Sequence, residues 1–140
     1  MTTNSPSMPT RRQVLGTAGV AACGVALAGC GLGVPTEPVV PPGIKGKVIA
    51  KVADVPVGGG TLIKDWKILL TQPSEGVFKA FTATCPHKGC VVGRFADKAV
   101  ECPCHGSAFA LDTGACLRGP AETPLKEFPL RVDGDGIVIL

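Results

Sequence analysis

The chain has no tyrosine, one tryptophan, five phenylalanines and two histidines among 140 residues. A set of large side chains this small supports only a limited core, and the length admits one domain with no second large one. Charge is scarce as well. Fourteen basic residues against 11 acidic ones leave a net +3, and no basic block occurs anywhere along the chain, which excludes an electrostatic footprint for nucleic acid. No internal repeat is visible, and no stretch after residue 46 is long and periodic enough to read as a helix. The triplet Gly58-Gly59-Gly60 lacks the following Lys-Ser/Thr of a phosphate loop and any helix to supply a dipole, so it reads as a plain loop. Against these absences stand 19 glycines, 13 prolines and seven cysteines. Thiols at that density in a small chain point to a stapled or metal-bearing site.

The apolar residues are unevenly spread, and Val14 to Val34 is a run without one charge. Thr10-Arg11-Arg12-Gln13-Val14-Leu15 places an arginine pair directly before it, and this resembles the twin-arginine export signal of bacteria. The run continues through Leu27-Ala28-Gly29-Cys30, which resembles a lipobox and implies lipidation of Cys30. An uncleaved transmembrane helix is the competing reading, since about 20 apolar residues span the hydrocarbon core. The six glycines and five alanines of the run weigh against it. Either way the remaining chain is expected at the extracytoplasmic face of a bacterial cell membrane. Residues 1–29 form the signal segment in this reading. Residues 30–46, with Pro35, Pro38, Pro41 and Pro42, form a tether, and 47–140 form the folded domain. Without residues 1–29 the basic count falls to 12 against 11 acidic, so the domain is nearly neutral.

From Lys47 onward short β-type runs alternate with Gly, Pro and Asp turns, which predicts an all-β domain. The expected strands are Lys47–Val52, Thr61–Ile63, Trp66–Thr71, Val77–Thr82, Ala99–Cys102, Ser107–Ala110, Phe128–Val132 and Ile137–Leu140. Trp66, Phe78, Phe81, Phe95 and Phe128 are the expected large core members.

Both histidines and four of the cysteines fall in two short segments, Cys85-Pro86-His87-Lys88-Gly89-Cys90 and Cys102-Pro103-Cys104-His105-Gly106-Ser107. Spacing alone leaves open a structural zinc site drawn from six Cys/His side chains, or a disulfide scaffold. Zinc would leave two cysteines over, and a scaffold of disulfides gives the histidines no reason to be there. The motif pair resembles the Rieske iron–sulfur proteins in their disulfide-containing branch, typified by the cytochrome bc1 and b6f complexes, and the likeness extends over 47–140. The resemblance implies an antiparallel β-sandwich with a small cluster-binding subdomain of two loops. It further implies a [2Fe–2S] cluster with one iron held by Cys85 and Cys102, the other by His87 and His105, and a Cys90–Cys104 disulfide tying the loops together.

A diferric cluster on two thiolates and two neutral imidazoles carries no net charge, whereas four thiolates would leave it doubly negative. The neutral form accepts an electron more readily, and the family accordingly spans about −150 to +300 mV against about −400 mV for plant-type ferredoxins. Ser107 matches the family serine that donates to a cluster sulfur. Phe109 stands where high-potential members place a tyrosine, which implies a potential below the top of that range. Gly119-Pro120 resembles the proline loop that covers the cluster from a third side. Lys88 replaces the apolar residue usual in quinol-oxidising members and suits docking on an acidic redox partner. Cys116 receives no role.

Nothing else in the chain offers a substrate pocket or an acid/base pair, so the expectation is a membrane-associated carrier of single electrons between redox proteins, such as a cytochrome or an oxidoreductase subunit, with no complete active site of its own. The alternative is the Rieske subunit of a quinol–cytochrome c reductase or of a periplasmic oxidase. The Rieske ferredoxins of aromatic-ring dioxygenases lack the second cysteine pair.

Overall fold

A computed structural model describes residues 39–140; the expected signal segment, Cys30 and most of the tether lie outside the described residues. Eleven strands occur among the described residues: β1 (Val48–Lys51), β2 (Gly59–Ile63), β3 (Ile68–Ser74), β4 (Val77–Thr82), β5 (Arg94–Ala96), β6 (Ala99–Glu101), β7 (Ala108–Ala110), β8 (Cys116–Arg118), β9 (Glu127–Phe128), β10 (Leu130–Asp133) and β11 (Gly136–Ile139). They form three antiparallel sheets in the orders β1-β11-β10, β2-β3-β4-β9 and β5-β6-β7-β8. No α-helix appears among the described residues, only single 3-10 turns at Val52–Asp54 and Lys64–Trp66. The all-β expectation holds.

Side chains alternate across a strand, so β3 serves two cores at once. Leu69 points with Phe81 of β4 into a cluster that includes Val92, Val100, Phe109 and Leu111. Ile68 and Leu70 point the other way, to Ile44, Val55, Ile137 and Ile139. The sheet of β2, β3, β4 and β9 is therefore the middle layer, and its two covered faces explain why Ile68-Leu69-Leu70 reads as an unbroken apolar run. Truncating any of these three to alanine costs about 2–5 kcal/mol. A buried hydroxyl also crosses the seam: Thr71 of β3 donates to the Leu111 carbonyl just past β7, at 2.6 Å.

The seam between β2 and β5 is close-fitting. A Cβ at Gly60 would run into the Leu70 carbonyl of β3 and come within 2.6 Å of the Phe95 ring, and one at Gly93 would come within 2.9 Å of Leu62. Each side yields a glycine to a large side chain of the other.

Several expectations need correction. β5 and β8 are strands that the sequence reading did not contain. Trp66 belongs to a 3-10 turn that ends in Lys67 at φ 49°, so β3 starts at Ile68 and not at Trp66. The expected strand Phe128–Val132 is two strands, because Pro129 has no N–H to continue a ladder. Of the expected large core residues, Phe81 and Phe128 are buried, whereas Trp66, Phe78 and Phe95 are half-buried. Ile44 is wholly buried, and Gly46 donates its N–H to Ile139 at 2.7 Å. Packing thus begins ahead of Lys47, inside the segment taken as tether.

Candidate metal centre

Two loops, one between β4 and β5 and one between β6 and β7, share one backbone design. In the first, Cys85 N–H donates to the Cys90 carbonyl at 2.8 Å and Gly89 N–H to the Cys85 carbonyl at 2.8 Å. In the second, joining β6 to β7, Cys102 N–H donates to the Ser107 carbonyl at 2.8 Å and Gly106 N–H to the Cys102 carbonyl at 3.0 Å. The fifth residue of each is a glycine at positive φ, 76° and 79°, a conformation that a Cβ disfavours. Closure of this kind presents residues one to four of each loop, which include Cys85 and His87 in the first and Cys102, Cys104 and His105 in the second; Cys90 closes the first loop at its sixth position.

The structure joins Cys90 to Cys104 in a disulfide, with 6.4 Å between the Cα atoms, so the two loops are covalently clasped. Cys85 and Cys102 are free and buried, at 2% and 1% exposure. The Cys90, Cys102 and Cys104 sulfurs all lie within 4.8 Å of one another, but the bridge removes two of them as thiolate donors. The His87 and His105 rings meet edge to face, 4.7 Å between centroids and 88° between planes. His87 Nδ1 is buried and has no hydrogen-bond partner. An unpartnered buried ring nitrogen costs free energy in a finished structure and is what a metal ligand looks like before its metal.

Burial pushes the Cys102 thiol up from its ordinary value. The Cys104 backbone N–H opposes this, the neighbouring Cys85 thiol adds to it, and the His105 N–H opposes it again. A metal ion would replace the protons of such a thiol pair and relieve the crowding. Free buried thiols, a ring nitrogen without a partner and two backbone N–H groups aimed at a sulfur fit a sulfur-and-imidazole metal group.

The surroundings are also in place. Ser107 is fully buried, and its Oγ accepts the Ala121 N–H at 3.0 Å, which leaves the hydroxyl hydrogen to donate. That bond draws the Gly119-Pro120 loop against the second ligand loop; the Gly119-Pro120 peptide is cis. Phe109 is wholly buried and aligned with Val100 and Cys116 on the core face of the sheet, so it belongs to the core as well as to the site. An open pocket of about 320 Å³, lined by Pro86, His87, Pro120, Glu122 and Thr123, exposes the His87 side to solvent. Lys88 is exposed beside it.

The sequence reading missed two contributors. The single S–H of Cys116 faces two acceptors, the Ala121 carbonyl at 3.0 Å and the Arg118 carbonyl at 3.3 Å, and so ties β8 to the proline loop. Arg118 reaches the second ligand loop itself. Neither is legible in sequence, because β8 lies between Gly114 and Gly119-Pro120 and looks like loop, and both contacts join residues that only the fold brings together.

Residues 46–129 match the Rieske [2Fe-2S] domain. The chain is 35% identical over 111 residues to the cytochrome b6-f complex iron–sulfur subunit of Chlorobaculum thiosulfatiphilum, covering 72% of this chain and 59% of that protein. It is 37% identical over 91 residues to the 3-phenylpropionate/cinnamic acid dioxygenase ferredoxin subunit of Shigella flexneri, covering 63% of this chain and 86% of that protein. The chain thus spans about three fifths of the length of the b6-f subunit it matches. Among solved structures, the ferredoxin of Sphingomonas yanoikuyae B1 superposes with a TM-score of 0.58 at 23% identity, over 68% of this chain and 97% of that one, and shares the fold. Sequence match, fold and donor set agree, and the chain belongs to the Rieske [2Fe–2S] family, whose cofactor is a [2Fe–2S] cluster.

Proposed function

We propose that this Rieske protein is exported and held at the outer face of a bacterial membrane, where it passes single electrons between redox proteins. Cys85 and Cys102 hold one iron and His87 and His105 the other. The observation that carries this reading is the convergence of two free buried thiols and two imidazoles, one with an orphaned Nδ1, across a disulfide-clasped pair of loops. When bound, the cluster supplies a site that takes up one electron from a donor and gives it to an acceptor.

The chain's own residues supply everything else. Ser107, oriented by the Ala121 N–H, offers its hydroxyl hydrogen to the developing negative charge. The Cys90–Cys104 bridge keeps the two ligand pairs at fixed separation when charge changes. His105 is exposed and His87 is reached through the open pocket, so a partner can approach both imidazoles. Lys88 puts a cation beside that approach and favours an acidic docking surface. The arginine pair Arg11-Arg12 and the Leu27-Ala28-Gly29-Cys30 sequence support export and lipid attachment at Cys30.

The second reading is a Rieske subunit of a quinol-oxidising complex, favoured by the 35% identity to a b6-f iron–sulfur subunit. Lys88 and Phe109 weigh against it. The test is an EPR and visible spectrum of the full-length protein purified from membranes. A reduced-state signal with an average g below that of all-thiolate clusters is expected, together with release from the membrane by Cys30→Ser. A colourless, EPR-silent protein containing zinc overturns the ligand assignment. Stable co-purification with a cytochrome b selects the second reading.

A further inference from the structure

Opposite positions on the outer face of the third sheet form a row, Arg94, Glu101, Ala108 and Arg118, one from each of its four strands. Strand spacing of about 4.8 Å puts Arg118 about 10 Å from Glu101 across β7. The guanidinium makes that crossing: Nη2 donates to Glu101 Oε1 at 2.7 Å, while Nε donates to the Gly106 carbonyl at 3.0 Å. It passes over Ala108, which is only 4% exposed although it lies on the outer face. A small residue at 108 is what leaves the path open. Arg94 approaches the same carboxylate less closely, at 3.9 Å, and has no bond to the loop.

The chain positions give the contact its meaning. Glu101 immediately precedes Cys102, and Gly106 immediately follows His105. Arg118 itself immediately precedes Gly119-Pro120. One side chain therefore holds both ends of the second ligand loop and the root of the proline loop. Two donors of a planar fork satisfy two separate acceptors, which an ammonium on a flexible stem cannot reproduce in the same geometry.

We propose that Arg118 is a positioning residue for the metal centre: it clasps the Cys102–His105 segment at both ends and so fixes the thiolate and the imidazole which that loop contributes. This rests on the ligand assignment proposed above. The exposed location of the guanidinium, with 61% of the side chain accessible, does not make it an idle surface charge, because its Nε bond goes to a ligand-loop carbonyl and not to water.

The test uses the full-length protein with Arg118→Gln, Arg118→Lys, Ala108→Leu and Arg94→Gln. Arg118→Gln is expected to speed iron loss to a chelator about tenfold, the equivalent of one charge-assisted hydrogen bond, and to shift both the reduction potential and the EPR g values. Ala108→Leu keeps the arginine but blocks its path, and is expected to reproduce those changes. Arg118→Lys restores them only partly, and Arg94→Gln leaves them at wild type. In chelator-stripped protein, hydrogen exchange at the Gly106 amide rises about tenfold in Arg118→Gln, while exchange at the Gly114 amide does not change.

Wild-type chelator kinetics, potential and Gly106 exchange in Arg118→Gln overturn the proposal, and so does an Arg94→Gln effect as large as that of Arg118→Gln. A wild-type protein without an iron–sulfur spectrum overturns the ligand assignment instead, and the Gly106 exchange in the metal-free chain still decides whether Arg118 clasps the loop.

Discussion

The loop from Cys102 to Ser107 has a near twin one strand later. From Ala110 to Ala115, between β7 and β8, Ala110 N–H donates to the Ala115 carbonyl at 2.9 Å and Gly114 N–H to the Ala110 carbonyl at 3.0 Å. Gly114 again has positive φ, 69°. The hydrogen bonds are the same, yet one loop presents Cys102, Cys104 and His105 and the other presents Leu111, Asp112 and Thr113. Their surroundings differ. Gly114 is buried, a Cβ there would stand 2.9 Å from the Phe81 ring, and its carbonyl accepts the Leu125 N–H at 2.9 Å. A Cβ at Gly106 or Gly89 would meet nothing within 4 Å. The third loop is a corner docked in the core, whereas the first two stand at the rim and are held by a disulfide, by side-chain clasps and by what they bind. What a turn of this kind can bind is set by its side chains and its position, not by its backbone.

Substitutions can break this comparison. The largest effect is expected from Gly114→Ala, which adds an overpacked methyl of about 1–3 kcal/mol to a left-handed backbone cost of about 1–2 kcal/mol. Gly106→Ala carries only the second of these. Urea unfolding of both variants measures the gap, and equal losses would show that the two loops are packed alike. Next comes the bridge. Cys90→Ser with Cys104→Ser is expected to lower stability by about 3 kcal/mol, given a closed loop of about 15 residues, and to speed chelation of iron. Amide exchange at Gly114 rises no further than that loss of global stability accounts for, since that loop has no part in the clasp.

The smallest change sharpens the comparison at β7, the strand the second and third loops share. Phe109→Tyr adds a hydroxyl to a wholly buried ring. A new hydrogen bond of about 1 kcal/mol to the site is expected to raise the potential on the order of 40 mV for a one-electron couple. Protein-film voltammetry reads the shift, and an unchanged or lower potential refutes the role assigned to the missing hydroxyl.

The two loop segments stood out in sequence because metal-ligand chemistry restricts residue type: few side chains can take the place of Cys85, His87, Cys102 or His105 in the ligand roles proposed for them. The Cys90–Cys104 pairing came with the family resemblance and is present in the structure. The twin loop was not legible, since of its six positions only the fifth residue, glycine, is common to all three loops. β5 and β8 are no shorter than β6 and β7, but each carries an arginine and sits among turn residues, Gly93 and Asp97 around β5 and Gly114 and Gly119-Pro120 around β8, so both look like loop. Ile44 was hidden by its company, because a single apolar residue among Pro41, Pro42, Gly43 and Gly46 looks like tether until Ile137 and Ile139 are seen against it. Phe109 was read for its relation to the cluster, and its second part in the core depended on its partners Val100 and Cys116 across the sheet. Arg118 needed Ala108 beneath it, a relation between strands that no linear pattern displays.

The paired glycines at the seam also limit how this protein could be rebuilt. Because Gly60 makes room for Phe95 and Gly93 makes room for Leu62, the cluster-bearing sheet is not a cassette to be lifted onto any β-base of similar outline. A chimera that carries β5 to β8 onto a host with a side chain at the position of Gly60 would meet the Phe95 ring before the sheets could close. Grafts that import Gly60 along with the metal loops are the ones expected to fold.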